Sequence, residues 1–320
     1  MTDLGDRQEE HRVLESFGTG LQTTRVTALP DGRIHWQRTP GSSHPGTYPP
    51  VRSGFVRRLR AASSPHIRFA APTVSEAGEY RWEVAGRSSL GNLVLTEDVP
   101  TARLQEIISH LGCRLQVLHD QQDSADPPSH YPPPPGPTRL MAWLDSGRAP
   151  RAGAGFHYRL RTQLGPGRWE KLRDFTHHML RPGPEDRTTV VHGWFSLGSI
   201  IVADAPDTKP GAVVLSGVEA AQGRPETDLA CLLGELTEYA LAAERRRIEL
   251  PVLDSLRDGF LSRYGPAWDR DTLAAGAVVR VVTHAHDFAA YVGWNPQLHG
   301  YIPMLADLLD SDGMSALPTA

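Results

Sequence analysis

Two neighbouring stretches of the 320-residue chain decide its fold. The first is Val190–Val202, VVHGWFSLGSIIV, and the second is Val213–Ala230, VVLSGVEAAQGRPETDLA. Each begins with β-branched residues, which are typical of a buried strand, and then passes into a glycine-containing loop. The second continues through Pro225 to Asp228, which we expect to cap an apolar helix at its N-terminus. The pattern predicts a compact strand pair whose loops carry polar side chains.

The spacing of these residues resembles the catalytic core of the aminoglycoside and choline kinase-like phosphotransferases. That family has a His-Gly-Asp loop, an Asn five residues after the Asp, a hydrophobic strand, an Asp that holds Mg²⁺, and a Pro-x-x-Asp-Leu-Ala helix start. The matching residues are His192, Gly193, Gly198, the strand Ile200–Val202, Pro225 and Asp228-Leu229-Ala230. The resemblance implies an α+β, bilobal protein-kinase-like fold with a small mixed β-rich N-lobe and a large helical C-lobe. It also implies a structural role for Asp228.

The rest of the chain fits two lobes, with an N-lobe over residues 1–91 and a C-lobe over 92–320. In the N-lobe we predict a charged helix at 6–16, strands at 23–30 and 33–38 around the Asp31-Gly32 turn, a helix at 51–62, and strands at 66–71 and 79–84. In the C-lobe, Thr101–Gln122 is amphipathic and predicts a helix. The proline-rich run 125–139 predicts an exposed connector that is neither a helix nor a central strand.

The departures from the family pattern concern the chemistry. The loop Asp is replaced by Trp194, whose indole can only donate a hydrogen bond. The two metal-binding positions fall on Ser199 and Ser216, and hydroxyls offer Mg²⁺ little of the charge that carboxylates supply. The N-lobe lysine that grips phosphates in the family is missing, because the only lysines are Lys171 and Lys209. Phosphoryl transfer depends on such charges, so their joint loss argues for a changed function.

The remaining polar residues of the motif are candidates for an altered site. Arg38, or else Arg33, could replace the lysine at the phosphates, with Ser199 and Ser216 also at the nucleotide position. Glu219 is the surviving carboxylate nearest to the metal position, and it is either a displaced metal ligand, with a catalytic role if the protein is active, or a solvated or salt-bridged side chain. His192 either orients the loop backbone, which is its usual role in the family, or takes part in catalysis. Trp194 and Ser196 are expected to line the cleft for an acceptor or partner.

We predict no metal site from the histidine pairs. His177-His178 and His284-x-His286 each lack a third ligand at the expected spacing, and surface or core histidines are far commoner than ligands.

Composition excludes several classes of protein. A net charge of −4 and a pI near 6.4 lack the basic surplus of a nucleic-acid binder. Cys113 and Cys231 are too few for a disulfide framework and are expected to be reduced. The acidic N-terminus is not a signal peptide, and no apolar stretch is long enough to span a membrane. We therefore expect a cytoplasmic protein that binds neither nucleic acid nor membrane.

Three functions remain open. The first is a pseudokinase-like subunit that binds a peptide or a partner enzyme. The second is an atypical kinase that uses ATP and Mg²⁺ to phosphorylate Ser or Thr in a precursor peptide, and the third is a phosphotransferase for a small molecule such as an antibiotic. The loop Val-His-Gly-x-x-Ser-Leu-Gly-Ser also resembles the phosphotransferase-like proteins of class V lanthipeptide and thioamitide pathways. That resemblance implies a precursor peptide and a partner lyase in Ser/Thr dehydration.

Overall fold

The computed structural model describes residues 12–96, 98–247 and 250–318, which form a strand-rich lobe and a helix-rich lobe. The strands are β1 (Arg12–Gly18), β2 (Gln22–Ala28), β3 (Ile34–Pro40), β4 (Ile67–Ala70), β5 (Thr73–Val74), β6 (Tyr80–Val84), β7 (Ser88–Ser89), β8 (Thr189–Val191), β9 (Ile200–Val202), β10 (Ala212–Leu215) and β11 (Ala221–Gly223). The helices are α1 (Ser53–Ala62), α2 (Leu90–Thr96), α3 (Thr101–Asp120), α4 (Pro135–Ser146), α5 (Gly153–Leu180), α6 (Glu226–Arg246), α7 (Val252–Tyr264), α8 (Arg270–Asp287) and α9 (Gln297–Asp310). The predicted α+β, two-lobed architecture is confirmed.

The strand-rich lobe is built on an antiparallel sheet with the strand order β1-β2-β3-β6-β5. One face is apolar because residues two apart along each strand point the same way, and Val26, Trp36, Tyr80 and Trp82 are all buried there. The predicted turn at Asp31-Gly32 joins β2 to β3, and Gly32 has a φ of 83°, which costs glycine little. The sheet therefore presents a stable apolar wall to the other lobe.

The helix predicted at 6–16 is wrong over the residues that the structure describes. Residues 12–16 lie in β1, which pairs antiparallel with β2 from Arg12 opposite Ala28 to Gly18 opposite Thr23. Residues 6–11 lie outside the described residues. These residues form a strand because hydrogen bonds to β2 stabilise it, whereas a short charged segment has little helical stability of its own.

A second sheet, in the order β4-β10-β9-β7, joins the two lobes. β4 comes from the first 91 residues and runs parallel to β10, from Ile67 opposite Ala212 to Ala70 opposite Leu215. β7 pairs with β9, which places Ser88 opposite Val202. The two loops that carry the motif residues are thus fixed by strands from both halves of the chain. The division at residue 91 remains a prediction, and α2 begins there at Leu90.

The proline-rich run departs in part from its prediction. Residues 125–134 do connect α3 to α4, through one 3₁₀ turn at Pro128–His130. The rest is helical, because α4 begins at Pro135, where a proline lacks an N–H that would be unpaired in any case. The run is also less exposed than expected, since Tyr131 is 5% exposed and its hydroxyl donates to Asp126.

The helix-rich lobe has the core that the amphipathic pattern predicts. The apolar stripe of α3 is fully buried, and its members are Leu104, Ile107, Ile108, Leu111, Leu115 and Leu118. α3 packs on α7, and α6 packs on α8. Both cysteines are free, with Cys113 on α3 and Cys231 on α6. Among the described residues, no helix has the length and apolar character needed to cross a membrane.

Candidate functional site

A cavity of about 300 Å³ lies between the lobes. Its upper wall is the inner face of β1–β3, and its lower wall comes from the loops after β8 and β10 and from the end of α8. The predicted residues that line it are Arg38, His192, Trp194, Ser196, Ser199 and Glu219. The structure therefore brings most of the sequence-predicted site into one place.

The loop after β8 is held from below by the carboxylate of Asp228. The backbone N–H groups of His192 and Gly193 donate to it at 2.6 and 2.8 Å, and His119 Nε2 lies 3.0 Å away. The Asp228 side chain is completely buried. The predicted N-cap role is wrong, because α6 begins two residues earlier, at Glu226, with Pro225 before it. Asp228 serves instead to fix the loop, which agrees with the structural role that the resemblance implies.

His192 is positioned by its backbone and by its ring. Its Nε2 lies 3.1 Å from the carbonyl oxygen of Leu215, to which it donates, and this contact links the two motif loops. Burial lowers the pKa of the imidazole, so the ring is neutral at neutral pH. Its Nδ1 is buried and has no hydrogen-bond partner among the described residues. Gly193 follows with a φ of 86°, and a Cβ there would overlap the carbonyl oxygen of Glu219.

Trp194 is a fixed part of the cleft wall. The Arg280 guanidinium lies 4.5 Å from the centre of its ring, and Arg280 is itself held by Glu235 and Glu238. The carboxylate of Glu235 also accepts the backbone N–H of Leu197 at 2.7 Å. A buried ion network therefore supports both the indole and the loop that follows it.

The three predicted serines differ in what they offer to a ligand. Ser196 and Ser199 both reach the cavity, but the Ser199 hydroxyl donates to the carbonyl oxygen of Ser196 at 2.7 Å. Ser216 is 1% exposed, does not line the cavity, and donates to the carbonyl oxygen of Val214 at 3.1 Å. The structure thus does not bring Ser216 to the ligand space, and both metal-position hydroxyls already have internal partners.

Arg38 is a partly buried cation that forms no ion pair among the described residues. It lies on the inner face of β3, where its guanidinium is 5.4 Å from the Trp82 ring, and its buried Nε has no hydrogen-bond partner in the described part of the chain. Desolvation lowers its pKa, and the nearby Tyr48 and Glu219 oppose this only in part. Arg33, the other candidate, lies outside the cleft, where it pairs with Asp31 and Glu83. Of these two arginines, Arg38 is therefore the one that a ligand in the cavity would meet.

The cavity also contains a pair of acidic residues, of which the sequence predicts only Glu219. Glu219 and Asp287 both line it, and Arg139 lies between them, with nitrogens 3.9 Å from Glu219 and 2.9 Å from Asp287. Burial raises the pKa of Glu219, while burial of Asp287 is outweighed by Arg139 and His286, which lower its pKa. Arg139 and Asp287 come from α4 and α8, far from the motif in sequence.

A substitution at Glu219 gives a pH-dependent stability that tests this placement. Because its folded-state pKa is raised, Glu219 contributes stability below its unfolded pKa of about 4.3, and that contribution is lost as pH rises through the folded value. We expect the Glu219→Gln variant to gain stability relative to the wild type between about pH 4 and pH 7. Urea unfolding across this range measures the difference. The exposed Glu76→Gln is the control, and an equal pH trend in both variants would contradict the placement.

The turn between β1 and β2 closes the cavity on one side. It contains the Gly18-Thr19-Gly20 sequence, and the backbone N–H of Gly20 donates to the carbonyl oxygen of Tyr291 at 2.7 Å. Tyr291 lies in the π-helical turn Phe288–Val292 that follows α8. The tip of the strand-rich lobe is thereby joined to the helix-rich lobe by a direct hydrogen bond.

The connection between β6 and β7 is held by hydrogen bonds to distant segments. The Trp36 indole N–H donates to the carbonyl oxygen of Gly86 at 3.1 Å. The backbone N–H of Asp204 donates to the carbonyl oxygen of Ala85 at 3.0 Å, and the N–H of Arg87 donates to the Asp204 carboxylate at 3.2 Å. These bonds join residues 85–87 to β3 and to the segment after β9.

This geometry is that of a kinase-like phosphotransferase fold, and solved structures bear it out. A spectinomycin phosphotransferase, solved with ADP and spectinomycin, aligns over 95% of this chain and 93% of its own, with a TM-score of 0.57 and 8% identity. An amicoumacin kinase, solved with AMP-PNP, Ca²⁺ and its ligand, aligns over 97% and 90%, with a TM-score of 0.58 and 13% identity. A glucosamine kinase aligns over 92% and 76%, with a TM-score of 0.51 and 13% identity. No protein-family model and no curated protein matches the sequence.

Proposed function

We propose that this protein is a pseudokinase-like subunit that holds a peptide in its interlobe cleft and seats an anionic group of that peptide on Arg38. The observation that carries the proposal is the partly buried guanidinium of Arg38, which lines the cavity and forms no ion pair with any described residue. An unpaired buried charge costs several kcal/mol, and a bound anion offsets that cost. Guanidinium groups bind phosphate and carboxylate through paired hydrogen bonds, so either group on the peptide would suit.

The state of the motif loops supports binding without ordinary Mg²⁺-ATP chemistry. Trp194 occupies the position of the catalytic base and has no basic atom. The hydroxyls of Ser199 and Ser216 donate to backbone carbonyls, and Ser216 does not line the cavity. Mg²⁺ needs several hard oxygen ligands with near-octahedral geometry, and these two positions do not supply them.

The resemblance of the Val191–Ser199 loop to proteins of class V lanthipeptide and thioamitide pathways gives the peptide a chemical class, a precursor rich in Ser and Thr. A lyase that eliminates phosphate is then the expected partner enzyme.

The test compares binding with catalysis on one peptide. The probe is a fluorescent Ser/Thr-rich peptide, made with and without one phosphoserine and measured by anisotropy. In parallel, the protein is incubated with unphosphorylated peptide, ATP and Mg²⁺, and the peptide is weighed by mass spectrometry. We expect tighter binding of the phosphopeptide and no gain in mass. A phosphate-sized mass gain that is lost in Glu219→Ala would overturn the proposal.

The second candidate, an atypical kinase acting on the same peptide, is favoured by one observation. Glu219 and Asp287 place two carboxylates in the cavity, and together they could hold the Mg²⁺ that the serines do not. Residues that fit such a metal are therefore present, although Arg139 now lies between them. In that case ATP binding would depend on Mg²⁺ and on both carboxylates. The antibiotic kinases share the fold alone, so nothing specific favours the third candidate, a small-molecule kinase.

A further inference from the structure

A cluster of metal-ligand side chains lies outside the cleft, between α3 and the start of β4. His66, Glu106 and His110 each offer one ligand atom, and these atoms all lie within 4.8 Å of one another. None of the three lines the interlobe cavity. Within the described ranges, 12–96, 98–247 and 250–318, this is the one group of three such side chains at that spacing.

The backbone positions of the cluster are well defined. Glu106 and His110 are four residues apart on α3, so both side chains lie on one face of the helix, with Oε1 and Nε2 3.9 Å apart. His66 is held from both sides, because its N–H donates to Ser64 Oγ at 3.2 Å and its carbonyl accepts the N–H of Ala212 at 3.2 Å. Its ring lies parallel to that of His110, with the ring centres 4.2 Å apart. The backbone thus holds the three donors close together, and one imidazole must turn out of the stack before both rings can face a single metal ion.

Two imidazoles and one carboxylate are a donor set that suits zinc. Tetrahedral zinc with ligands at about 2.0–2.1 Å brings its donor atoms to roughly 3.4 Å from one another, so the present spacing closes when the side chains rotate and one imidazole leaves the stack. Two histidines with one glutamate leave the fourth position to water. Harder ions such as Mg²⁺ prefer oxygen ligands, so the imidazoles select against them.

Lys209 is the group that opposes a cation here. Its Nζ lies 3.2 Å from His66 Nδ1, so the ammonium must move away when His66 turns toward a metal. The Lys209 side chain is exposed, which leaves it free to do so. Because its charge repels a nearby divalent ion, removing the charge should strengthen metal binding. The site can therefore be tested both by substitutions that weaken metal binding and by one that strengthens it.

We propose that His66, Glu106 and His110 form a zinc site that joins α3 to the start of β4. The proposal is independent of what the cleft binds, since it shares no residue with that site. Sequence reasoning missed the site because His66 is 40 positions from Glu106 and shows no spacing motif with it. Bound zinc would link the helix-rich lobe to the strand that pairs with β10 and so would stabilise the junction between the lobes.

Calorimetric titration of the full, chelator-treated chain with zinc tests the proposal. We expect one equivalent to bind, Glu106→Gln and His110→Ala each to weaken binding more than about tenfold, and Lys209→Met to tighten it roughly tenfold. Glu106 has an exposed side chain, so its variant keeps the fold. Substituting Co²⁺ adds a visible absorption spectrum that reports tetrahedral geometry.

The matched control is His299→Ala, which removes an exposed helical histidine elsewhere on the surface and should leave the titration unchanged. Absence of zinc binding by the wild type would overturn the proposal. So would wild-type affinity in both the Glu106→Gln and His110→Ala variants.

Discussion

Replacing Asp228 with alanine should lower the free energy of unfolding by about 4 kcal/mol. The carboxylate is fully buried and accepts hydrogen bonds from the backbone N–H groups of His192 and Gly193, with His119 Nε2 as a third partner. Removing it leaves two backbone donors buried and unpaired, each at a cost of about 1–3 kcal/mol. Urea unfolding followed by circular dichroism measures the loss.

Asp254→Ala is the matched control for this change. Asp254 also occupies the third position of a helix, α7, but its side chain is 85% exposed and its ion pair with Arg257 spans 3.5 Å. Its replacement should change stability by less than about 1 kcal/mol. If Asp228→Ala were as mild as Asp254→Ala, Asp228 would not be the support of the motif loop.

Replacing Arg38 with methionine should have two opposite effects. Binding of pyrophosphate, used as a minimal anionic probe, should weaken by about 10- to 100-fold, because charge-assisted hydrogen bonds are worth about 1.5–3 kcal/mol. Without ligand, the free energy of unfolding of the variant should be higher by about 1–2 kcal/mol, because a partly buried cation that forms no ion pair among the described residues is replaced by an apolar chain of similar length. Lost affinity together with gained stability is typical of a residue kept for binding.

The control for that change is Arg33→Met. Arg33 precedes the same strand, β3, but lies outside the cleft and is about half exposed, where it pairs with Asp31 and Glu83. Its replacement should leave pyrophosphate binding unchanged and have little effect on stability, because solvent screens an exposed ion pair. Equal affinities for the wild type and Arg38→Met would place the anion site elsewhere.

The part of the site that the sequence predicts is the part that is continuous in the chain. His192, Trp194 and Ser196 lie in one loop, and spacing alone brings them together. Asp228 was recognised from the helix start, but its role depends on where its carboxylate points, and it points to the loop and not to the end of its own helix. The rotamer of Ser216, which turns its hydroxyl to Val214, likewise has no signal in the sequence.

The part that the sequence does not predict depends on contacts between distant segments. Arg139 and Asp287 belong to different helices and meet only because α4 packs on α8. A signal for Asp287 was present, since it is an acidic residue at the end of a helix whose residues are mostly buried. Trp36 reaches Gly86 across 50 residues, so only the fold reveals that contact. The charged start of β1 likewise became a strand through its pairing with β2.

We expect the cleft to bind an anion through Arg38 and to do so without Mg²⁺. The most direct measurement is a calorimetric titration of the wild-type protein with pyrophosphate and with ATP, each in a chelator and again with excess Mg²⁺. We expect pyrophosphate to bind in the presence of the chelator. Mg²⁺ should not raise the affinity for pyrophosphate, because Ser199 and Ser216 offer the metal no charge. ATP binding that appears only with Mg²⁺, and that is lost in Glu219→Gln, would contradict it and identify an active kinase site.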